Sequence, residues 1–323
     1  MNITLQRRHL LMLGACASIP GLAGASTWPE KPVRLVVPSA PSTPGDNVAR
    51  AFSDLMQARL GQPLVVENRS GAQGLIGLEA VAKAAPDGYT FGLLNIQQAI
   101  IPAMRKLPFD LNASLQPVVQ LTTEATVLVV GSAVPANTVS ELIELVRKSP
   151  GKFSYGSSGN GSPSHVGMEL LRRQAQLEMM HVPYRAPGAV INDMAGGQLQ
   201  IALLNSNPVL QALPTGKIRA LAVSSEKRLA SLPQVPTLAE AGFPAMDLRG
   251  WVGVVGPAGI DAEIVRRVNA AFNEALQDRT AQERLRRGGS EPAGGTVRQF
   301  ADHIASETRR WGRVVQDANI KMD

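Results

Sequence analysis

The chain has 323 residues, 44% of them hydrophobic and only 18% charged, a length that suits two domains and a composition that buries a sizeable core. Aromatic residues make up 4%, so Ala, Val and Leu carry most of the packing. The net charge of +6 is spread over helical patterns such as RLRR at 284–287 and RRWGR at 309–313. Such a spread speaks against a nucleic-acid surface and reads as solvated helix faces, with docking to an acidic partner or steering of an anionic ligand as the alternatives.

Residues 1–25 read as an export signal, to be set aside before the fold. Arg7 and Arg8 precede an apolar run from Leu10 to Leu13, small residues follow, and Ala23-Gly24-Ala25 fits an A-x-A cleavage site. The segment is too short and too rich in small residues to span a membrane. RRHLLML resembles a twin-arginine signal, but Gln6 stands where Ser or Thr is usual, so the ordinary secretory route is preferred. LGAC would make Cys16 a lipoprotein acylation site. Only seven residues separate it from Arg8, a short apolar region, and the later cleavage site is preferred. Cleavage after Ala25 leaves 30 Lys+Arg against 26 Asp+Glu, a net charge of +4, and no cysteine. Export is expected.

From Ser26 onward strands and helices alternate. VRLVV (33–37) is a buried strand. Behind it comes PSAPSTPGD (38–46), a loop of Pro, Ser and Thr that opens a helix ending at Gly61. LVV (64–66) and TFGLL (90–94) are the next strands. TVLVV (126–130) leads to a helix opened by the capping box Thr138-x-x-Glu141. FSYG (153–156) runs into SSGNGSPSH, HVPY (181–184) into RAPGA, and IALL (201–204) into NSNPV. Pro163, Pro187 and Pro208 stand at first helical positions, and Gly196 stops the middle helix. RALAV (219–223) and WVGVV (251–255) complete the strands. Asp261 caps a helix with Ile264, Val265, Val268 and Phe272 inward. Thr296-x-x-Gln299 opens a last helix whose stripe is Val297, Phe300, Ile304, Trp311 and Val314. Continuous rather than alternating apolarity predicts sheets covered on both faces, hence an α/β chain with parallel or mixed sheets.

In such sheets ligands bind outside the carboxyl ends of the strands. The loops there are rich in backbone N–H, hydroxyl and amide donors and poor in charge, which suits anions at helix starts. Catalytic chemistry is missing from the pattern. His165, His181 and His303 have no Cys or carboxylate at ligand spacing. Ser164-His165 are helical neighbours pointing apart, with no G-x-S-x-G elbow, and neither GNGS nor GAQGLIG completes a dinucleotide or phosphate loop. The pattern is that of a receptor rather than an enzyme, with no cofactor and no metal.

Several long motifs, in order, then resemble one family. They are WPEKPVRLVVP, GQPLVVENRSGAQGLIGLEAVAKAAPDGYTF, YGSSGNGSPSH, HVPYRAPGAVINDMAGGQLQ, GKIRALAVSSEKRLASLPQVPTLAEAGFP, WVGVVGPAG and RWGRVVQDANIK. The chain resembles the extracytoplasmic solute receptors of tripartite tricarboxylate transporters, the Bug or TctC family, over essentially the whole mature chain. The resemblance implies a type II periplasmic binding protein fold, with two α/β domains flanking a ligand cleft. Crossings near Glu124 and Ser224 would divide it into a discontinuous domain of residues 26–124 and 225–323 and a second of 125–224. It further implies a monomer that binds a small carboxylated metabolite and hands it to membrane transporter subunits, with no nucleic acid involved. A sensor of the same fold that feeds a signalling partner is the alternative.

Carried over by position, one jaw of the cleft would use Ser39, Ser42, Thr43 and Asp46. The other would use Ser157, Ser158, Gly159, Gly161, Ser162 and His165. Tyr184, Arg185 and Gly188 come from YRAPGA, and Asn205, Asn95 and Trp251 would line the walls. Asp46 and Ser162 have helix capping as their alternative, Trp251 the core, and Arg185 plain solvent exposure. The first jaw departs from the family, which has an aromatic at Ser39 and a Gly pair at Ser42 and Thr43. Side chains there narrow the cleft and add hydroxyls. Intact-mass analysis of periplasmic protein should find Ser26 as the N-terminus; a diacylglycerol adduct on Cys16 would refute that.

Overall fold

The computed structural model describes residues 28–244, 246–317 and 319–320; the export signal, Cys16 and Ser26 lie outside them. Strands β1 (Val33–Val37), β2 (Leu64–Asn68), β3 (Thr90–Asn95), β4 (Leu115–Glu124), β10 (Gly250–Pro257) and β11 (Glu291–Pro292) form one sheet, in the order β11-β4-β10-β3-β1-β2. Strands β5 (Thr126–Gly131), β6 (Phe153–Ser157), β7 (Met179–Pro183), β8 (Ile201–Asn205) and β9 (Ile218–Val223) form the other, in the order β7-β6-β8-β5-β9. Each sheet is mixed. β1 pairs in parallel with β2 and β3, and β6 with β7 and β8. By contrast, β10 runs antiparallel to β3 and β4, and β5 antiparallel to β8 and β9.

The parallel strands lead into helices, as the punctuation of the sequence requires. α1 (Pro44–Leu60) follows β1, α2 (Leu75–Ala82) follows β2 and α3 (Ile96–Ile100) follows β3. In the second sheet α6 (Pro163–Gln174), α7 (Pro187–Ala195) and α8 (Ser206–Ala212) follow β6, β7 and β8. α4 (Leu111–Ser114), α5 (Val139–Arg147), α9 (Ala262–Leu276), α10 (Arg279–Arg287) and α11 (Val297–Asp317) complete the layers. α1 and α9 cover one face of the first sheet, with Phe52 edge-on to Phe272 at 5.7 Å above Leu35 and Val37. α2, α3 and α11 cover the other through Leu78, Val81, Ile100, Phe300 and Trp311. That second core continues through Leu248 and Trp251 into Val166, Met168 and Leu171 of α6, so the two lobes share apolar packing on the α11 side.

The terminal signals hold with three adjustments. Thr296 and Gln299 form a full reciprocal box, at 2.8 and 3.2 Å. At Thr138 only half forms: its Oγ1 accepts from Glu141 N, while Glu141 accepts from Asn137 instead. Pro208 is the third residue of α8 rather than the first, because Ser206 N already bonds Ala125 O and makes Asn205 the N-cap. In α11 it is Val315, not Val314, that is fully buried. β7 begins two residues before the predicted strand. β4 was not legible at all: Gln116, Pro117, Gln120, Thr122 and Thr123 interrupt its apolar run, and register shifts against β10 break its alternation.

One residue, Ala125, separates the last residue of β4 from the first of β5. Beside it, Thr126 N donates to Ser224 Oγ at 2.9 Å, and Ser224 N donates to Thr126 O at 2.8 Å. The return does not occur at Ser224. The chain stays with the second sheet, where Val223 N bonds Pro236 O and Leu238 N bonds Val223 O around a parallel bridge to Thr237. It rejoins the first sheet at Gly250. Motif punctuation misses this because the segment between carries no regular strand of its own.

The lobes touch again where α8 meets the turn after α10. Asn207 Nδ2 donates to Gly288 O at 3.0 Å and Ser206 Oγ to Gly289 O at 3.2 Å. Gly289 has φ +80°, and a Cβ there would lie 2.4 Å from Asn207 Cβ. Gly61 has φ +78° with nothing near its would-be Cβ. Both Gly→Ala changes carry the left-handed penalty of about 1–2 kcal/mol, but Gly289→Ala should cost about 1–3 kcal/mol more from overpacking. Paired chemical denaturation curves check this; equal losses would mean that α8 does not dock on this turn in solution.

Candidate functional site

The first jaw is the loop between β1 and α1. Asp46 is its anchor. The carboxylate is buried and accepts from Ser42 N (2.9 Å), Arg50 Nε (2.8 Å) and Asn68 Nδ2 (2.9 Å). Burial would raise this carboxyl, but the bonds from Arg50, Asn68 and Ser42 outweigh it and hold it below its ordinary value. Asp46 is therefore the third residue of α1, bonding back over the helix start, and not its N-cap; Thr43 is. Thr43 Oγ1 donates to Ala40 O at 2.8 Å, so in its 2.7 Å contact with Ser39 it accepts. Asn68, at the end of β2, also donates to Ser39 O at 3.1 Å. Sequence reading missed Asn68 and Arg50; the i,i+4 spacing of Asp46 and Arg50 was the available signal. Ser42 is exposed with φ +64°, the left-handed backbone a Gly would adopt at no cost. Ser42 therefore sets a hydroxyl on a turn that a Gly would adopt without strain.

The second jaw is built on a buried aromatic stack. His165 and His181 lie face to face, with centroids 3.8 Å apart and 4° between planes, and Tyr155 lies 5.0 Å from His181. Gly161 N donates to His165 Nδ1 at 3.0 Å, which shapes the loop and puts the neutral ring's proton on Nε2. Ser162 caps α6 through His165 N, and Ser164 Oγ receives Ser158 N at 3.0 Å. Tyr155 donates to Glu169 at 2.5 Å, and Arg172 grips the same carboxylate at 2.8 Å. Burial raises Glu169, yet Arg172 and Tyr155 outweigh it and keep it low. Burial lowers His165, against the pull of Glu169. Burial and then the neighbouring His165 push His181 down to about 4, again against Glu169.

Ser157 Oγ meets His181 Nε2 at 2.6 Å, the spacing of a nucleophile and its base. Ser157 is fully buried, so its hydroxyl faces protein rather than solvent and the pair braces the loop from within. Gly159 closes on the same hydroxyl, its N donating at 3.2 Å. Tyr184 donates to Asp193 at 2.7 Å and is pushed up to about 12 by burial and that bond. Arg185 and Gly188 are exposed at the start of α7.

The wall residues divide. Asn95 caps α3 in a reciprocal box with Gln98. Trp251 belongs to the core: it packs on Phe300 and His303 at 5.8 and 5.2 Å, beside a cavity of about 160 Å³ lined by Thr123, Arg249 and Glu307 on the α11 side. Asn205 is held at the end of β8, where its Nδ2 donates 2.7 Å to Glu124 Oε2. Glu124 is a residue that sequence reading had marked only as a crossing point. Protein surrounds its carboxyl, yet it keeps part of its surface open, and burial raises it to about 8 against the bond from Asn205. Where α1 and α8 meet the turn after α10 lies a cavity of about 50 Å³ lined by Pro44, Asn47 and Val48, Asn207, and Arg284, Leu285, Gly288 and Ser290. No cluster of metal-ligating side chains occurs among the described residues.

Two mixed sheets whose parallel strands each lead into a helix define the two-lobed fold of the periplasmic binding proteins. The chain belongs to the tripartite tricarboxylate transporter family receptors (TctC), whose family model matches residues 48–320. Protein BugT of Bordetella pertussis is 33% identical over 328 residues, covering 100% of both chains. The R. palustris protein Rpa4515, solved with adipate, is 32% identical with a TM-score of 0.79, over 91% of this chain and 99% of that one. MatC from Rhodopseudomonas palustris, solved with bound malate, is 30% identical with a TM-score of 0.75, over 89% and 99%. The family is one of solute-binding receptors.

The depressed His181 gives a sign for pH. Unfolded, its imidazole takes a proton as pH falls below about 6.5; folded, it does so only near 4. The unfolded state therefore gains protons first, and stability is lost as pH falls from 6.5 to 4. Melting temperature should drop across that window in the native protein and drop less steeply in His181→Asn; equal slopes would show that this ring does not titrate on unfolding.

Proposed function

We propose that this chain is a periplasmic receptor that closes on a small carboxylated metabolite and delivers it to the membrane subunits of a tripartite tricarboxylate-type transporter. The observation that carries the reading is that α1 in one sheet, and α6, α7 and α8 in the other, each start directly behind the carboxyl end of a parallel strand, through loops poor in charge. Helix starts offer unpaired N–H groups and a partial positive charge. The hydroxyls of Ser42 and Ser158, the backbone N–H of Gly188 and the second amide N–H of Asn205 add donors, with Thr43 holding the first loop in shape. The adipate and malate complexes of two relatives support a dicarboxylate. No helix among the described residues is long and apolar enough to cross a membrane, which fits an exported protein handing its ligand to separate membrane subunits.

The lobes in this reading are residues 28–124 with 250–320, and 126 to the stretch between Thr237 and Gly250, and the receptor works as a monomer. Ser39, Gly159, Gly161, Ser162 and His165 shape the jaws, and Asp46, Ser157 and Tyr184 brace them from behind. Arg185 stands at the rim, where its charge steers an anionic solute.

Closure on a ligand stabilises the folded form. At 100 times its dissociation constant a ligand should add about 2.7 kcal/mol, a plain rise in melting temperature. A panel of di- and tricarboxylates, acidic amino acids and aromatic acids at pH 6.5 is the test. A shift with none of them would overturn the ligand class.

A further inference from the structure

Glu124 is the acidic group at the crossing between the sheets, and neither jaw accounts for it. Strand alternation sends Thr123 toward the cavity shared with Trp251 and Glu307, and therefore sends Glu124 to the opposite face. Thr122, two residues back on that face, pairs with Val252, which also pairs with Asn95. Val252 packs against the core beneath α1, so Glu124 lies on the face from which the first jaw projects. Directly across from it stands Gly250, where an added Cβ would meet nothing closer than 3.7 Å. Gly250 thus sets no side chain against the base of Glu124. Asn205 amide fixes one oxygen, although Asn205 is the N-cap of α8 and its side chain makes no cap bond there. An N-cap amide diverted to orient a carboxyl is the arrangement of a positioned group, not of an idle one.

Resting on the receptor reading, we propose that Glu124 is a ligand-contacting residue on the cleft floor, which donates its carboxylic proton to one carboxylate of a dicarboxylate ligand. The donor role follows from its surroundings. Of the elements around it, β8 and α8 present only the neutral amides of Asn205 and Asn207. Glu291 of β11 is paired with Arg286, and Arg249 before β10 with Asp247. Burial raises the carboxyl to about 8 and only the Asn205 bond opposes it, with no charged group among the causes. A neutral acid in such a site can face a carboxylate without repulsion, as an ionised one cannot. The same group would disfavour a ligand whose ammonium needed an ionised partner, so the receptor should prefer plain or hydroxylated dicarboxylates over acidic amino acids.

Calorimetric titration with malate and adipate from pH 6.5 to 9.5 tests this on the native protein. Proton linkage predicts constant affinity below about 8 and a loss approaching tenfold per pH unit above it, about 30-fold by pH 9.5. Proton uptake on binding should appear at high pH when buffers of different ionisation enthalpy are compared. Tyr184, held at about 12, and His165 and His181, both lowered, do not titrate in that window. Glu124→Ala should weaken binding at pH 6.5 about tenfold or more. Glu124→Gln, which keeps a donor, should recover part of that loss and show a flat profile. Binding with a flat profile in the native protein, or the same slope in Glu124→Gln, overturns the role of Glu124 and leaves the receptor reading standing. Affinity that rises with pH, or a preference for aspartate or glutamate, overturns the donor role in favour of an ionised acceptor. No binding of either dicarboxylate at any pH overturns this inference, and absence of a shift across the whole carboxylate panel overturns the proposed ligand class with it.

Discussion

The pair of hydrogen bonds between Thr126 and Ser224 is the constraint on which the rest of the molecule depends. Both residues are buried, at 3% and 1% exposure, and each bond satisfies a main-chain N–H that would otherwise cost about 1–3 kcal/mol to leave unpaired. Their effect is positional. They hold β9 beside the single-residue step from β4 to β5, and β5 in turn pairs with β8. The end of β8 is thereby brought against the end of β4, within the 2.7 Å of the Asn205–Glu124 bond. Everything presented to the gap hangs from strands whose ends this step aligns.

Apart from Glu124 and the rim residue Arg185, the ionisable groups of the two jaws are engaged with protein partners. Asp46 takes three donors at the root of the first jaw. Glu169 takes Tyr155 and Arg172 behind the second, and Asp193 takes Tyr184. What remains is helix starts, hydroxyls and amides. Such groups hold an anion by partial charge and geometry. They avoid the penalty of a fully desolvated ion pair, whose rupture on release would leave a buried charge unmatched. A receptor that must both capture and surrender its solute is served by that balance.

The layers and most element limits were legible in the sequence because they depend on local physics. Continuous apolar runs gave the buried strands β1, β3, β5 and β8, although β2 and β7 at the sheet edges are half-exposed, Pro163 and Pro187 stand at helix starts, and Asp261 caps α9 because its carboxylate reaches Glu263 N at 2.8 Å. Resemblance added which loops form jaws. Neither route told what each side chain in those loops does. Asp46 looked like a cap or a contact and is a brace, because Asn68 and Arg50 reach it from β2 and from one turn along α1. Trp251 looked like a wall and is core, because β10 turns it toward Phe300. β4 was invisible because polar residues and register shifts hide a strand whose burial comes from neighbours far away in sequence.

The sequence by itself determined the α/β class, most strands and helix starts, the poverty of charge in the loops behind them and the family. These follow from periodicity, capping and turn chemistry, all of which act over a few residues. The tertiary structure alone decided that His165 lies on His181, that the return crossing waits until after Thr237, and that Glu124 meets Asn205 across 81 residues of chain. Those contacts are set by how two sheets pack and where their edges meet. Burial then alters the chemistry of the groups involved, holding one imidazole near 4 and one carboxyl near 8, and no local pattern encodes burial contributed by residues that distant.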